Sequence, residues 1–415
     1  MESHQPTAEP RLSRQDAGSN DAAQRDFDTR SRKLHSLNVA CSNGDVAALR
    51  ELAASKGGLL DDEVRRIAWP LLLGCEKGVG WEGADPPPHR DEEQVQLDVD
   101  RSFVYYPQGE SDEKRDARKQ ELSKLILIVL RRYPMLHYFQ GYHDIVQVFL
   151  LVLGGDAAVN AVSRLSLLRI RDFMLPTMSG TEPHLRLLPA VLYAADPALA
   201  SHLSQTQPFF ALPATLTLYA HEIEEYGQIA RLFDFLLASE AVVSIYLFAV
   251  VVISRKEQLL EIEADEPEML HSVLSKLPKP LDLDSLIQQT AELFHQHPPE
   301  KLPGRAWWHI SSNSVLKTTR PNHDPKKQTL ADGQRYFWKE AAEIRRRDAL
   351  MRTQQQAQLF LRRYRRPVTL TGSAVLFALI AILLRSEHAP WVPALGSVFN
   401  GLQRTFYQVW RQFST

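Results

Sequence analysis

KQELSKLILIVLRRYP at residues 119–134 and HDIVQVFLLVLGG at residues 143–155 decide the fold class. In both, apolar residues recur at the spacing of a helix that buries one face. GQIARLFDFLLAS (227–239) and SLIQQTAELFHQHP (285–298) repeat the pattern. From Glu93 to about Pro303 no useful length of strand-like alternation interrupts it, so the sequence predicts an all-α architecture of many short helices packed in layers. AVVSIYLFAVVVI, residues 241–253, is apolar on every side. Its 13 residues are too few to span a bilayer, and it reads as a central core helix.

Towards the N-terminus, LLDDEVRRIAWPLLLG (59–74) reads as a capped helix with Asp61 and Asp62 at its start, an interruption at Pro70 and a stop at Gly74. GVGWEGADPPPHR (78–90) is a loop. Its Gly78-x-Gly80-x-x-Gly83 spacing follows a helix and precedes prolines, the wrong context for a dinucleotide fingerprint. ACSNGDVAALRELAAS (40–55) looks like half an ankyrin repeat, but a single copy cannot bury its own face, which leaves an ordinary leading helix. Residues 1–33 are polar, with Phe27 their only aromatic, and predict disorder without a signal peptide.

Across its 415 residues the chain is 44% hydrophobic with a net charge of −2, which permits a sizeable core and gives no basic excess for nucleic acid. Cys41 and Cys75 are the only cysteines, too few for a disulfide framework, and point to a reducing compartment. Past Pro303, residues 304–335 lose periodicity and read as a linker, and residues 336–366 read as a basic helix. Val368–Leu384 then runs 17 residues without a charge, about 26 Å of helix against an endoplasmic-reticulum core of about 27 Å. Eight arginines and one acid, Asp348, lie between Arg345 and Arg366. This asymmetry predicts a transmembrane helix over 367–385 with the bulk of the chain in the cytosol, at the endoplasmic reticulum or another internal membrane. In the tail, 386–415, Leu395, Val398, Phe399, Leu402, Phe406, Val409, Trp410 and Phe413 form an amphipathic stripe suited to a membrane interface or to a partner.

Three short runs carry the chemistry. Val95–Arg101 alone would be a surface helix with an Asp98–Arg101 pair at i, i+3. Leu136–Asp144 alone would be a loop with aromatic anchors, and Arg65–Trp69 a basic turn with a buried tryptophan. Together and in order they resemble the TBC-domain family of Rab GTPase-activating proteins, whose marks are R-x-x-W, I-x-x-D-x-x-R and Y-x-Q-G. Here these are Arg66/Trp69, Val95/Asp98/Arg101 and Tyr138/Gln140/Gly141, and Arg231–Leu236 is similar to a further family element. The resemblance covers about residues 60–303 and implies a TBC domain over 34–303. LRRYPMLHYFQGYHDIVQVFLLVLG, RDFMLPTM and the C-terminal anchor make it most similar to the membrane-anchored subgroup of the early secretory pathway. Val95 replaces the usual isoleucine, and Ala214, Leu218 and Tyr219 stand where relatives usually carry tryptophan.

The resemblance implies an activator that completes the site of a Rab GTPase in its GTP form. Arg101 would stabilise charge on the transferring phosphoryl group, worth roughly 10³–10⁵ in rate, through a planar guanidinium that lysine does not replace. Gln140 would orient the attacking water, since an amide both donates and accepts. Asp98 would hold Arg101 in its working rotamer, Tyr138 would shape the loop, and Gly141 would allow close backbone approach. No phosphate-binding loop, zinc-protease helix or nucleophile elbow occurs in the chain, and His295 and His297 read as surface residues. The resemblance therefore implies no metal or cofactor of its own, GTP and Mg²⁺ being carried by the partner. The implied setting is vesicle-mediated transport, and the competing expectation is a non-catalytic, membrane-anchored Rab-binding scaffold.

Overall fold

The computed structural model describes residues 14–75, 86–320 and 324–385. Among them the regular structure is helical. In chain order the α-helices are α1 (Arg14–Asn43), α2 (Val46–Ala54), α3 (Asp62–Leu73), α4 (Glu92–Val99), α5 (Asp112–Arg132) and α6 (Tyr142–Leu153). There follow α7 (Gly155–Leu168), α8 (Glu182–Ala195), α9 (Pro197–His202), α10 (Leu212–Leu216), α11 (Tyr226–Ala238) and α12 (Val243–Ser254). The last are α13 (Lys256–Leu260), α14 (Pro267–Leu274), α15 (Leu283–Gln296), α16 (Val315–Thr318) and α17 (Leu330–Arg385).

Residues up to Ile344 form one unit and residues from Arg345 a second. In the first, α12 is the central core helix that its apolar sequence predicts. Val243 to Val252 are all buried, and the helix packs between α8 and α15. A second layer sets α5 against α4, α6 and α7, with Leu122, Leu125, Ile126, Val129 and Leu130 on its buried face. The N-termini are capped as their residues dictate: Asp61 accepts from the Val64 amide and Asp282 from the Ser285 amide. Pro70 does not stop α3. It lies in the last turn, and the helix continues to Leu73 before Gly74, at φ 73°, closes it.

Two expected boundaries move. The sequence predicts disorder over 1–33, yet α1 starts at Arg14. Leu37, Ala40 and Cys41 anchor its far end in the core, and local contacts such as Gln24 to Asp28 extend it outward (3.1 Å). The expected linker, 304–335, is folded into the first unit. Trp307, Ile310, Val315 and Leu316 are buried, and the Asp172 carboxylate accepts from Ser314 Oγ (2.5 Å) and from the Val315 amide (3.0 Å). Short 3-10 and irregular segments carry no 3.6-residue period, so burial there left no mark in the apolar pattern.

The expected basic and transmembrane segments share one helical backbone, α17, instead of forming two helices. Among the described residues no helix is long and apolar enough to cross a membrane. Most side chains of 367–385 lie outside the described residues, as do the glycine-rich loop at 78–83 and the 386–415 tail.

Candidate functional site

Two loops come together at the N-terminal end of α6. One leaves α4 through Asp100 and Arg101, and the other runs from Pro134 to Gly141. The second is tied to the entry of α4 through His89, Arg90 and Asp91. The Asp91 carboxylate accepts from the Tyr138 amide (2.9 Å), the His89 ring meets the Leu136 carbonyl (3.0 Å), and Arg90 donates to the Pro134 carbonyl (2.6 Å). From the other side, the His137 amide donates to the Met174 carbonyl (2.9 Å). Because these partners are distant in sequence, the loop keeps its position only in the folded domain.

Gly141 turns the loop into α6 at φ 98°, a conformation that favours glycine. A Cβ there would meet Thr217 Cγ2 at 2.5 Å, so space as well as backbone demands glycine. Thr217 belongs to the stretch FFALPATLTLYAHE, residues 209–222. Within that stretch Tyr219 is buried and donates its hydroxyl to the Ser244 carbonyl at the start of α12 (2.7 Å).

The Arg101 loop is held by a residue that the motif reading did not single out. Gln147 is buried on α6, and its side-chain oxygen accepts from the amide of Phe103 (3.0 Å). Phe103 itself takes φ 60° with its ring buried, which turns Val104 and Tyr105 outward. The signal for Gln147 was a lone polar residue in an otherwise apolar helical run, and a buried amide of that kind needs partners.

Between the two loops lies a groove of about 610 Å³. Asp98, Arg101, Gln140, Gly141, Asp144 and His221 line it, with Tyr105 and Met178 adding apolar surface. Arg101 and Gln140 are both exposed. The structure therefore brings Arg101, Gln140, Gly141 and Asp98 to one opening.

The Asp98 carboxylate does not hold the Arg101 side chain, although the Arg101 amide donates to the Asp98 carbonyl (3.1 Å). It is buried, and it accepts from the Tyr138 hydroxyl (2.9 Å) and from Gln94 Nε2 (3.0 Å). The i, i+3 offset fails because α4 ends at Val99, before Arg101 completes another turn on the same face. Asp98 thus acts on the glutamine loop, through Tyr138. Burial beside the Asp98 carboxylate, which takes its proton in a hydrogen bond, pushes the Tyr138 phenol far above its ordinary range and keeps it neutral.

Arg66 and Trp69 are not part of the groove lining. Arg66 donates to the Val152 carbonyl near the end of α6 (3.0 Å), satisfying a helix C-terminus. Trp69 is fully buried against Phe149 and Phe233 and donates to Asp234. The same carboxylate accepts from Arg65 (3.0 Å) and from the Leu59 amide (3.0 Å), so Arg65, not Arg66, is the charged partner of this element. Both cysteines are free, and burial raises both thiols, Cys75 to about 11. Among the described residues no group of three or more His, Cys, Asp or Glu side chains is arranged to hold a metal ion.

The family match falls on this part of the chain. Residues 62–260 match the family profile of the Rab-GTPase-TBC domain. TBC1 domain family member 20 of Homo sapiens is 38% identical over 299 residues, covering 69% of this chain and 72% of that protein. The Bos taurus protein of the same name is 40% identical over 273 residues, covering 63% of this chain and 66% of its own length. GTPase-activating protein gyp10 of Schizosaccharomyces pombe is 33% identical over 291 residues, 68% of this chain and 77% of that one. The crystal structure of the Chlamydomonas flagellar RabGAP TBC domain aligns with a TM-score of 0.49 at 17% identity, covering 66% of this chain and 94% of that one.

Proposed function

Because this chain belongs to the Rab-GTPase-TBC domain family, we propose that it activates a Rab-family GTPase by inserting Arg101 and Gln140 into the partner's nucleotide site. The observation that carries this reading is the placement of both side chains, exposed, on two loops that line one groove. Each loop backbone is tied by a polar contact, the Phe103 amide to buried Gln147 and the Tyr138 amide to the partly buried Asp91, which limits the main-chain ordering left to do. Arg101 supplies directed donors to the charge that develops during phosphoryl transfer, and Gln140 orients water. GTP and Mg²⁺ come with the GTPase. The exposed Val104, Tyr105 and Met178 beside them offer the apolar contact that docking a protein surface requires.

Single-turnover phosphate release from a panel of Rab–GTP complexes tests this. The wild type is expected to accelerate release from at least one member. Arg101→Ala should remove most of the stimulation, toward the roughly 10³–10⁵ attributed to an arginine supplied in trans. Arg101→Lys should recover little of it. If neither Arg101→Ala nor Gln140→Ala lowers stimulation by more than a few-fold, the two-residue mechanism is wrong. Tight binding to Rab–GTP without acceleration by the wild type would instead support a scaffold.

The same reading gives the chain a place in vesicle-mediated transport, anchored in the endoplasmic reticulum or another internal membrane through 367–385. What supports the anchor is the charge-free run Val368–Leu384 behind eight arginines. Truncation before Pro367 should move the protein from the membrane fraction into the soluble one while activity in solution persists. Unchanged fractionation would sink the anchor.

A further inference from the structure

Arg171–Met174 is a 3-10 turn between α7 and α8, buried along its whole length, and it makes contacts on two sides. On one side it meets the loop that carries Gln140. The Met174 carbonyl accepts from the His137 amide (2.9 Å). The Phe173 ring stands at 77° to that of Phe139, the residue before Gln140, with centroids 6.1 Å apart. On the other side the turn holds the C-terminal segment of the first unit. Asp172 accepts from Ser314 Oγ (2.5 Å) and from the Val315 amide (3.0 Å) at the start of α16. Arg171 donates to Thr318 Oγ1 (2.9 Å) and to the Asn313 carbonyl, and its guanidinium lies 5.1 Å from the centre of the Tyr336 ring on α17. The same segment is fastened to α17 by Glu343, which accepts from Ser311 Oγ (2.5 Å) and Asn313 Nδ2 (2.7 Å). This seat, residues 311–343, lies past the family match, which ends at 260.

The turn has little room to move. His184 Nε2 lies 2.9 Å from Asp172 Oδ2, and the same imidazole packs on Phe173 with centroids 4.8 Å apart. Gly180 approaches so closely that a Cβ there would meet the Asp172 carbonyl oxygen at 2.3 Å. Asp172, Phe173 and Met174 are consecutive in one tight turn, so a change in what anchors the first displaces the other two. Misplacing a catalytic group by about 1 Å can cost on the order of 10²-fold in rate. The Arg101 loop has a separate support, the buried Gln147 side chain that accepts from the Phe103 amide (3.0 Å).

We propose that Asp172 is a positioning residue for Gln140: seated on residues 311–343, it fixes Phe173 and Met174 and, through them, the loop that carries the glutamine. This role rests on the activator reading above. It makes the C-terminal segment part of the support of Gln140 and leaves Arg101 on its own.

Two variants of the full chain test this. Asp172→Asn keeps the side-chain volume but replaces one accepting oxygen with a donor. Ser314→Ala removes one partner on the C-terminal side. Hydrogen exchange, read by mass spectrometry, should quicken several-fold in peptides spanning the His137 amide, while peptides spanning the Phe103 amide keep the wild-type rate. On a Rab–GTP that the wild type stimulates, kcat should fall several-fold with KM unchanged. A general loss of stability would instead speed exchange at both amides alike, and that result would overturn the proposal. Wild-type exchange at His137 in both variants would overturn it too, as would faster exchange there with kcat intact. Ser314→Ala is the milder change and decides alone where Asp172→Asn does not fold. Faster exchange confined to the His137 loop, with no Rab stimulated by the wild type, would sink the activator reading and leave the coupling of seat to loop standing.

Discussion

The indole nitrogen of Trp69 donates to Asp234 at 2.8 Å, joining α3 to α11 across 165 positions of sequence. Arg65 and the Leu59 amide meet the same fully buried carboxylate. One side chain thus ties two family elements into a single structural joint, at a distance from the chemistry.

Asp234→Ala removes the fully buried partner of the Arg65 guanidinium and leaves it only the partly exposed Asp62 carboxylate (2.8 Å). It should destabilise the first unit by about 3–5 kcal/mol, read by denaturant unfolding. A loss in the range of an ordinary surface substitution, roughly 0.5 kcal/mol or less, would mean that the joint contributes little.

Gly141→Ala combines a left-handed backbone with a collision on Thr217. A cost of at least about 1–3 kcal/mol is expected, together with loss of GTPase stimulation as Gln140 is displaced. Adding Thr217→Ser removes the colliding methyl and should restore part of the stability. The backbone strain would remain. Full wild-type behaviour in Gly141→Ala would show that the loop is not fixed where the structure places it.

Asp98 acts through Tyr138, so the two should not be independent. In a double-mutant cycle of Asp98→Asn and Tyr138→Phe on stimulated phosphate release, a coupling of roughly 0.5–3 kcal/mol is expected. Additive effects would show that Asp98 does not act through Tyr138.

His221 titrates above the ordinary imidazole value because its ring is hydrogen-bonded to Asp144, against the pull of burial. A group whose folded pKa is raised contributes stability that is fully present below its unfolded pKa and is lost as pH rises through the folded one. His221→Ala should therefore cost more stability at mildly acidic pH than at alkaline pH. An equal cost at both would show that the pair with Asp144 is not ionic.

The sequence alone carried the helical class and most of the residues of the candidate site. Long amphipathic runs such as 119–134 report their period wherever one face is buried, and α12 was legible because every side of it is apolar. Arg101 and Gln140 were legible as members of ordered motifs. Their neighbours were harder to read. Gln147 shows in sequence only as a polar interruption, and nothing local says that it caps Phe103. The 304–335 stretch looked like a linker because its burial runs through short irregular segments without a period.

What the chain determined by itself was local: helix periods, caps at Asp61 and Asp282, and the glycine at 141 that a left-handed turn requires. What only the tertiary structure decided was partnership. Asp98 stands three residues from Arg101 in sequence yet bonds Tyr138, forty positions away, because α4 ends before Arg101 can share its face. Likewise Arg65 and not Arg66 reaches Asp234. Helix spacing fixes which side chains are able to meet, but where a helix stops and what packs beside it decide which of them do.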